Sequence, residues 1–399
     1  MKMNLKITKV ETHRVSVPFV ALFHHDAHGI GGYAMQPTFT VLHTDEGVTG
    51  VGESRSASPP ELLIGENPFC LPQIKFKLRD TPAWPAVEMA CLDIQGKVLG
   101  LPVCKVLNGE DIRPRVPHAA YCFFRVPNAE GKNGVTPENY VAYCEDLMAR
   151  FGFTCLKLKM GAYPPEVDVE LARQVRQAVG DKVGLRIDVN GAWSQPSALM
   201  AIKKLEDCNL EYLEDPLCQY RGYDYEGMHL LRQRTLTPIA ADGHYRLRDL
   251  VQVVRHQAAD VVLGDISYGI DNIQRYYRMA MEFNLGVSMH SGYEMGVKIA
   301  ARAHVAAATP GLHHAIDMHY HHLTDDVIKG GMHRIEGGCI TVGDKPGLGV
   351  ELDPDKVAQY RWTPEKDAEN EQIRKHLVEE YGVIPKDRWA RDPANYPYY

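Results

Sequence analysis

The sequence predicts a (β/α)8 barrel of the TIM type, an α/β fold, with an N-terminal α+β unit that C-terminal segments complete. Three observations lead to this prediction. Eight short apolar runs alternate with amphipathic stretches from about residue 115 onward. The first 112 residues lack that alternation. The chain of 399 residues is long enough for a barrel of roughly 250 residues and a second unit.

The N-terminal unit, residues 1–112, combines strand and helix patterns. Residues 44–47 have the composition of a hairpin turn between two strands. A helix follows, because apolar residues recur on one face of a 3.6-residue period: Val87, Cys91, Ile94 and Val98. Gly100 and Pro102 end this helix.

The barrel, residues 113–328, is predicted from apolar runs that have the length of buried strands. The runs cover residues 116–121, 155–161, 183–190, 210–216, 238–242, 260–265, 285–290 and 315–319. Helical stripes lie between them, for example Val167, Leu171 and Val175. Eight such units favour a closed barrel over a doubly wound sheet of about five or six strands. Residues 329–399 are expected to pack back on the N-terminal unit.

Charge and composition exclude several classes of function. The formal net charge is -7 and no basic tract is present, so nucleic-acid binding is not expected. No apolar stretch approaches the roughly 20 residues of a membrane helix, and the first residues lack the apolar core of a secretion signal. The nine cysteines are scattered without a CxxC pair, which predicts reduced thiols in a cytoplasmic protein.

Ionisable side chains end six consecutive predicted strands, the second to the seventh. In chain order they are Lys157 with Lys159, Asp188, Glu214, Asp242, Asp265 and His290. The carboxyl ends of parallel barrel strands meet around one mouth, so we expect these groups to form one site. Taken singly, each residue is typical of a solvated strand end or loop. The set as a whole indicates an active site.

The three carboxylates Asp188, Glu214 and Asp242 predict a metal site. Oxygen ligands without thiolate or imidazole suit Mg²⁺, or Mn²⁺, and not zinc. Such a cation stabilises the dianion that forms when a proton leaves the carbon beside a carboxylate. The substrate is therefore expected to be a small carboxylic acid.

Proton transfer is assigned to side chains beside this metal site. Lys157 and Lys159 point to the same face of one strand, so Lys157 is expected to lie against the substrate carboxylate and Lys159 to act as the base. Two neighbouring ammonium groups are expected to depress each other's pKa. Asp265 is expected to hold and orient His290, the acid/base group on the opposite face of the substrate.

At these residues the chain resembles the mandelate racemase subgroup of the enolase superfamily, and within it glucarate dehydratase-like sugar-acid dehydratases. The matching segments include FTCLKLKMG, IDVNGAWS, YLEDP, PIAADGH, VVLGDIS, VSMHS, HVAAATPGLHHAIDMH and DKPGLGVELD. The resemblance implies the same metal ligands and the same two acid/base groups. It also implies that the N-terminal unit caps the barrel.

The resemblance further implies four substrate-binding residues: His28, Tyr121, Asn190 and His319. Two departures from glucarate dehydratases bear on the substrate. The fifth-strand metal ligand is Asp242 where those enzymes have asparagine, and Ser291 and Gly292 precede Tyr293 where they have paired asparagines after the histidine. The chemistry therefore transfers better than the identity of the substrate.

Two enzymatic functions and one binding function remain open on the sequence. A sugar-acid dehydratase and a racemase or epimerase of a 2-hydroxy acid use the same two bases. A non-catalytic binding protein is disfavoured because Lys159, His290 and the three carboxylates are all present. The expected partners are a small sugar acid and further copies of the chain in a homo-oligomer, without nucleic acid or a membrane.

Overall fold

The computed structural model describes residues 3–26, 29–30, 32–127, 134–218, 222–292 and 294–381. Its N-terminal unit contains the strands β1 (Ile7–Arg14), β2 (Val17–Pro18), β3 (Leu22–Asp26), β4 (Gly29–Ile30), β5 (Ala34–Met35), β6 (Thr38–Thr44) and β7 (Thr49–Ser54). Its helices are α1 (Pro60–Leu63), α2 (Leu71–Lys77), α3 (Trp84–Leu99) and α4 (Val103–Asn108). Strands β1, β6 and β7 form an antiparallel sheet in that order.

Helix α3 packs directly on strand β7, and two glycines of the strand allow this contact. A Cβ atom at Gly50 or Gly52 would overlap the carbonyl oxygen of Ala90 or Ala86 in α3. The helix ends at Gly100, whose φ of 70° is the left-handed conformation that glycine adopts without a steric cost. The predicted hairpin and helix of this unit are therefore confirmed.

The barrel strands are β8 (Arg115–Val126), β9 (Cys155–Lys159), β10 (Gly184–Asp188), β11 (Tyr212–Glu214), β12 (Ile239–Ala241), β13 (Val261–Gly264), β14 (Gly286–Met289) and β15 (Ile316–Met318). All adjacent pairs from β8 to β14 are parallel, and β15 pairs with β8 in parallel. Each of the eight predicted runs contains or overlaps one strand. The predicted (β/α)8 fold class is confirmed.

The helices between the strands are α5 (Tyr140–Phe151), α6 (Pro165–Val179), α7 (Gln195–Leu205), α8 (Tyr225–Arg232), α9 (Leu247–His256), α10 (Ile270–Glu282) and α11 (Gly296–Ala307). The prediction of eight βα units was wrong for the last unit. After β15 the chain forms a short 3-10 helix, Tyr320–His322, and residues 323–353 contain no α-helix. The C-terminal segment uses this part of the chain to return to the N-terminal unit.

The C-terminal segment contains β16 (Cys339–Thr341), α12 (Pro354–Gln359) and α13 (Pro364–Tyr381). Strand β16 pairs antiparallel with the beginning of β8. Helix α13 contacts the N-terminal unit through a hydrogen bond of 2.7 Å from Gln36 Nε2 to Asp367 Oδ1. Leu377 of the same helix packs with Val126, at the end of β8. Among the described helices, none has both the length and the apolar character needed to cross a membrane.

Three buried carboxylates join the N-terminal unit to the rest of the chain. Glu53 of β7 accepts the backbone N–H groups of Met295 and Lys298 at 2.6 and 2.8 Å, at the beginning of α11. Glu88 of α3 accepts those of Ile270 and Asp271 at 2.5 and 3.0 Å, at the beginning of α10. Each carboxylate thus satisfies N–H groups that the first turn of a helix leaves without partners.

Asp93 is the third of these carboxylates. It accepts the backbone N–H groups of Val51 at 3.1 Å and Leu348 at 2.8 Å, and it pairs with Lys97 at 2.7 Å. The side chain therefore connects β7, α3 and the C-terminal segment. Because all three carboxylates lie between units, they fix the N-terminal unit above the barrel strands.

Candidate active site

The ionisable residues predicted from the strand ends lie at one mouth of the barrel. Each of them ends a strand or directly follows one: Lys159, Asp188, Glu214, Asp242, Asp265 and His290. The strand register brings the first three together, because Lys159 is paired with Asp188 and Asp188 with Glu214. The position of the site thus follows from the parallel sheet.

Lys157 lies at the centre of this mouth and is completely buried. Its Nζ atom is 2.6 Å from Glu214 Oε2 and 2.8 Å from Asp317 Oδ2. Asp188 Oδ2 lies at 3.5 Å and the Tyr121 hydroxyl at 3.4 Å. The ammonium group therefore joins four of the surrounding strands.

At Lys157 the surrounding carboxylates act against the predicted depression of the pKa by a neighbouring lysine. Burial lowers the pKa of Lys157, but the carboxylates of Asp317 and Glu214 outweigh burial and hold this pKa well above its usual value. The surrounding carboxylates therefore favour the charged form of Lys157. A charged lysine suits the binding of a carboxylate and does not suit the role of a base.

Lys159 lies two residues after Lys157 and ends the same strand, β9. Its Nζ atom donates a hydrogen bond of 2.7 Å to Asp188 Oδ2. Asp188 Oδ1 accepts the backbone N–H of Asn190 at 2.9 Å. Burial raises the pKa of Asp188, but Lys159 and Lys157 outweigh burial and lower it below its usual range.

Glu214, Asp242 and His290 form the described group of side chains that is able to hold a metal ion. One candidate ligand atom from each lies within 4.8 Å of the others. Burial and the Asp188 carboxylate raise the pKa of Glu214 well above its usual value, because several negative charges share this site. A set of crowded carboxylate oxygens fits a hard divalent cation. Asp188, the third predicted ligand, is next to this group and is held by Lys159.

The predicted hydrogen bond between Asp265 and His290 is not formed between these two described side chains. His290 Nδ1 instead lies 3.1 Å from Asp242 Oδ2. Asp265 Oδ1 accepts the backbone N–H of Ser267 at 2.8 Å and lies 3.6 Å from Lys298 Nζ. Asp242, and not Asp265, therefore contacts the His290 imidazole. The order of the strands does not reveal which of these two carboxylates takes this position.

The four predicted substrate-binding residues have different outcomes. The Tyr121 hydroxyl lies within the site, 3.1 Å from Asp317 Oδ2 and 3.5 Å from His290 Nδ1. His319 stacks on the Tyr121 ring with a centroid separation of 5.8 Å and has Nδ1 2.6 Å from the Ser291 hydroxyl. Asn190 is half-buried at the end of β10. His28 lies outside the described residues, and all four roles stay predictions.

Sequence reasoning missed Asp317, which is buried in β15. Its Oδ2 atom binds Lys157 and Tyr121, and its Oδ1 lies 3.1 Å from Arg186 NH1. The signal was available, because Asp317 is two residues before His319 and the two side chains of such a pair point to the same face. Asp317 therefore holds the Lys157 ammonium group in place.

Sequence reasoning also missed Tyr245 and Lys298, which lie next to carboxylates at the barrel mouth. The Tyr245 hydroxyl donates a hydrogen bond of 2.6 Å to Asp242 Oδ1 and thereby orients this carboxylate. Lys298 lies in the first turn of α11. Both side chains line a cavity of about 870 Å³ between the barrel mouth and the N-terminal unit. His290 and Asp265 line the same cavity, so it is the space available to a substrate.

Comparison with known proteins shows the family of the chain. A family model described as "Enolase C-terminal domain-like" matches residues 139–356, which is more than half of the chain. A probable glucarate dehydratase of Streptomyces coelicolor is 37% identical over 289 residues. That alignment covers 69% of this chain and 65% of the relative, so the chain spans slightly under two thirds of the relative's length.

Two further relatives extend over nearly the whole chain. An N-succinyl-L-Arg/Lys racemase of Bacillus cereus is 26% identical over 388 residues, which cover 89% of this chain and 98% of that protein. The crystal structure of an enolase from Pseudomonas fluorescens with bound magnesium, potassium and tartrate superposes with a TM-score of 0.83. It is 29% identical, and the superposition covers 96% of this chain and 98% of that chain.

Proposed function

Because the chain belongs to the enolase superfamily, we propose that it is a magnesium-dependent dehydratase of a sugar acid. It removes the proton α to the carboxylate and eliminates the β-hydroxyl, which yields a 2-keto-3-deoxy acid. The similarity to a probable glucarate dehydratase supports this reaction over others of the family. The substrate is an aldarate or an aldonate.

The observation that carries the proposal is the charge arrangement at the mouth of the barrel. A charged Lys157, a second lysine and an imidazole surround the crowded carboxylates of Asp188, Glu214 and Asp242. A cation attracts a substrate carboxylate, while a lysine and an imidazole are the usual groups for proton transfer near neutral pH. These residues suit a carboxylic acid as the substrate, and they give no reason to assign a sugar phosphate or a nucleotide.

Asp188, Glu214 and Asp242 are the residues that would hold the magnesium ion, and Mn²⁺ fits the same oxygen ligands. The cation supplies electrostatic stabilisation of the negative charge that develops on the substrate carboxylate. The neighbour crystallised with magnesium and tartrate supports this choice of cation. Tyr245 holds Asp242 by the hydrogen bond to Oδ1 and thereby limits the rotation of this ligand.

Each remaining step uses a side chain of this site. Lys157 binds the substrate carboxylate and orients the α-carbon between the two acid/base groups. Lys159, in its neutral form, takes the α-proton, and the electron pair of the broken C–H bond becomes the α–β double bond as the β-hydroxyl leaves. His290 donates the proton that turns this hydroxyl into water. The enol product then ketonises to the 2-keto acid.

The second candidate is a racemase or epimerase that uses the same two groups without loss of water. The similarity to the N-succinyl-L-Arg/Lys racemase over 89% of this chain favours keeping it. In that reaction one group removes the α-proton and the other returns a proton to the opposite face. The two candidates differ in product mass, because only dehydration removes 18 mass units, which is one water molecule.

The test is a screen of the purified protein with Mg²⁺ against a library of aldaric and aldonic acids. The semicarbazone absorbance of a 2-keto acid reports dehydration, and EDTA should abolish it. The Lys159→Ala variant is the negative control, because it removes the assigned base and keeps Lys157. If no library member yields a 2-keto acid while α-proton exchange in D₂O persists, the dehydratase proposal fails and the epimerase replaces it.

A further inference from the structure

The cavity above the barrel mouth extends well beyond the proposed catalytic groups. Its wall continues from His290 and Asp265 to Lys298 of α11 and to Arg55 and Gln36 of the N-terminal unit. Its volume of about 870 Å³ leaves room for the whole carbon chain of a sugar acid. The part of the wall beyond His290 is therefore available to the far end of a substrate.

Lys298 places a buried cation on this part of the wall. Its side chain is 6% exposed. Its Nζ atom donates a hydrogen bond of 2.6 Å to Ser267 Oγ, and the Asp265 Oδ1 atom is at 3.6 Å, beyond hydrogen-bond distance. An ammonium group has three N–H donors, and among the described residues only Ser267 accepts from it. A buried donor group of this kind requires a further acceptor.

The nearby carboxylates are engaged with backbone groups. Asp265 Oδ1 accepts the N–H of Ser267 at 2.8 Å. Both oxygens of Glu53 accept N–H groups at the beginning of α11. Lys298 is therefore not placed to neutralise either carboxylate by a direct hydrogen bond.

Arg55 adds a second cation from the N-terminal unit. Its NH2 atom donates a hydrogen bond of 3.4 Å to the carbonyl oxygen of Gly292, two residues after His290. Gly292 has little space around it, because a Cβ there would lie 2.9 Å from Asp265 Oδ2 and 3.6 Å from the His290 ring. The absence of a side chain at Gly292 keeps this wall open between His290 and the two cations.

We propose that Lys298 and Arg55 form a second anion subsite, which binds the far carboxylate of the substrate and makes a dicarboxylic sugar acid the preferred substrate. This inference rests on the proposed function, in which Lys157 binds the first carboxylate. A carboxylate accepts several hydrogen bonds and carries a full charge, so it satisfies the donors of Lys298 and attracts the charge of Arg55 better than a hydroxymethyl group does. An aldarate presents that carboxylate, whereas an aldonate presents the hydroxymethyl group.

The experiment compares glucarate with gluconate, which differ only in whether C6 is a carboxylate or a hydroxymethyl group. Calorimetry with Mg²⁺ measures the binding of each acid, and the semicarbazone assay measures kcat and KM where turnover occurs. We expect the wild-type protein to bind glucarate about 10- to 100-fold more tightly than gluconate, as one or two charge-assisted hydrogen bonds provide. Lys298→Met should remove most of this preference and leave gluconate binding within about twofold of wild type.

Three further variants make the result specific. Arg55→Gln, on the exposed side of the wall, should weaken glucarate binding roughly 10-fold without a risk to folding. Lys298→Arg keeps the charge and should retain part of the preference for glucarate. Lys203→Met removes an exposed lysine from α7, outside the barrel, and should bind both acids as the wild-type protein does.

The outcomes separate this inference from the proposed function. Equal affinity of the wild-type protein for both acids would overturn the subsite. Equal weakening of both acids in Lys298→Met would also overturn it, because Lys298 would then act through Asp265 and His290. A preference for glucarate that Lys298→Met removes supports the subsite even if the protein turns over neither acid, in which case only the proposed reaction fails.

Discussion

Buried carboxylates between the N-terminal unit and the barrel contrast with those at the barrel mouth. At the interface, Glu53, Glu88 and Asp93 accept backbone N–H groups, and five of the six partners lie outside the N-terminal unit. Backbone partners of this kind do not move during a reaction. These carboxylates therefore hold the units in place.

At the mouth, the carboxylates face two ammonium groups, an imidazole and one another. Asp188 binds Lys159, Glu214 binds Lys157 and Asp242 binds His290. Like charges raise the pKa of Glu214, whereas lysines lower that of Asp188. Burial is complete or nearly complete in both regions, so burial does not distinguish them. The two regions differ in the type of partner. A charged side chain whose partner is another side chain is able to exchange that partner for a substrate or a cation.

Removal of a mouth carboxylate should give the largest effect on activity and a small effect on stability. Asp242→Ala should lower kcat/KM by at least about 1000-fold, because it removes a metal ligand and the partner of His290. The midpoint of thermal unfolding should stay within about 4 °C of wild type, since a change near 1 kcal/mol shifts it by only roughly 2–4 °C in a domain of this size. Steady-state kinetics and calorimetry measure the two quantities. Full activity would show that the fifth-strand ligand is wrongly assigned.

Removal of one proton-transfer group should affect one face of the substrate. His290→Asn should slow α-proton exchange in D₂O by about 100-fold for the isomer whose proton faces His290, a typical loss for a general acid or base. Exchange for the other isomer, assigned to Lys159, should persist. NMR follows both rates, and Lys159→Ala should give the opposite pattern. Equal loss on both faces would contradict separate roles.

Removal of an interface carboxylate should give the opposite pattern, with a clear effect on stability and a small effect on activity. Glu88→Gln leaves one N–H at the beginning of α10 without an acceptor, which should lower the free energy of unfolding by about 1–3 kcal/mol at pH 5.5. The value of kcat should stay within about twofold of wild type. Urea unfolding and the turnover assay measure the two effects. A large loss of kcat with unchanged stability would remove the distinction between the two regions.

The interface should also show a pH dependence. Burial raises the pKa of both Glu53 and Glu88 to about 7, although the backbone N–H groups oppose this change. The native state therefore holds these protons more tightly than the unfolded chain, whose glutamates have a pKa near 4.5. The stability that each protonated glutamate contributes is present below about pH 4.5 and is lost as the pH rises through about 7.

Glu88→Gln should consequently lose less stability than the wild-type protein over this pH range. The deficit of the variant relative to wild type should shrink between pH 5.5 and pH 8, at roughly 1.4 kcal/mol per unit of pKa displacement at most. Urea unfolding at both pH values measures it. A deficit that stays constant between these pH values would mean that Glu88 is ionised in the native protein throughout.

The sequence alone determined the barrel and the place of its site. Residues such as Lys159, Asp188 and Glu214 follow buried runs, and parallel strands must bring their carboxyl ends to one mouth. Periodicity also predicted helix α6, through the stripe of Val167, Leu171 and Val175. These features depend on local patterns that repeat every two residues in a strand and every 3.6 residues in a helix. Such patterns are visible in the amino-acid sequence.

Only the tertiary structure decided which partner each charged group takes. Asp317 and Glu214 contact Lys157 and favour its charged form, Asp242 contacts the His290 ring, and Lys298 extends from a helix toward the cavity. These choices depend on distances of a few ångströms between residues far apart in the chain, and electrostatic interactions change steeply over such distances in a buried site. The chemical types of the site are thus a property of the sequence, and their charge states are a property of the fold.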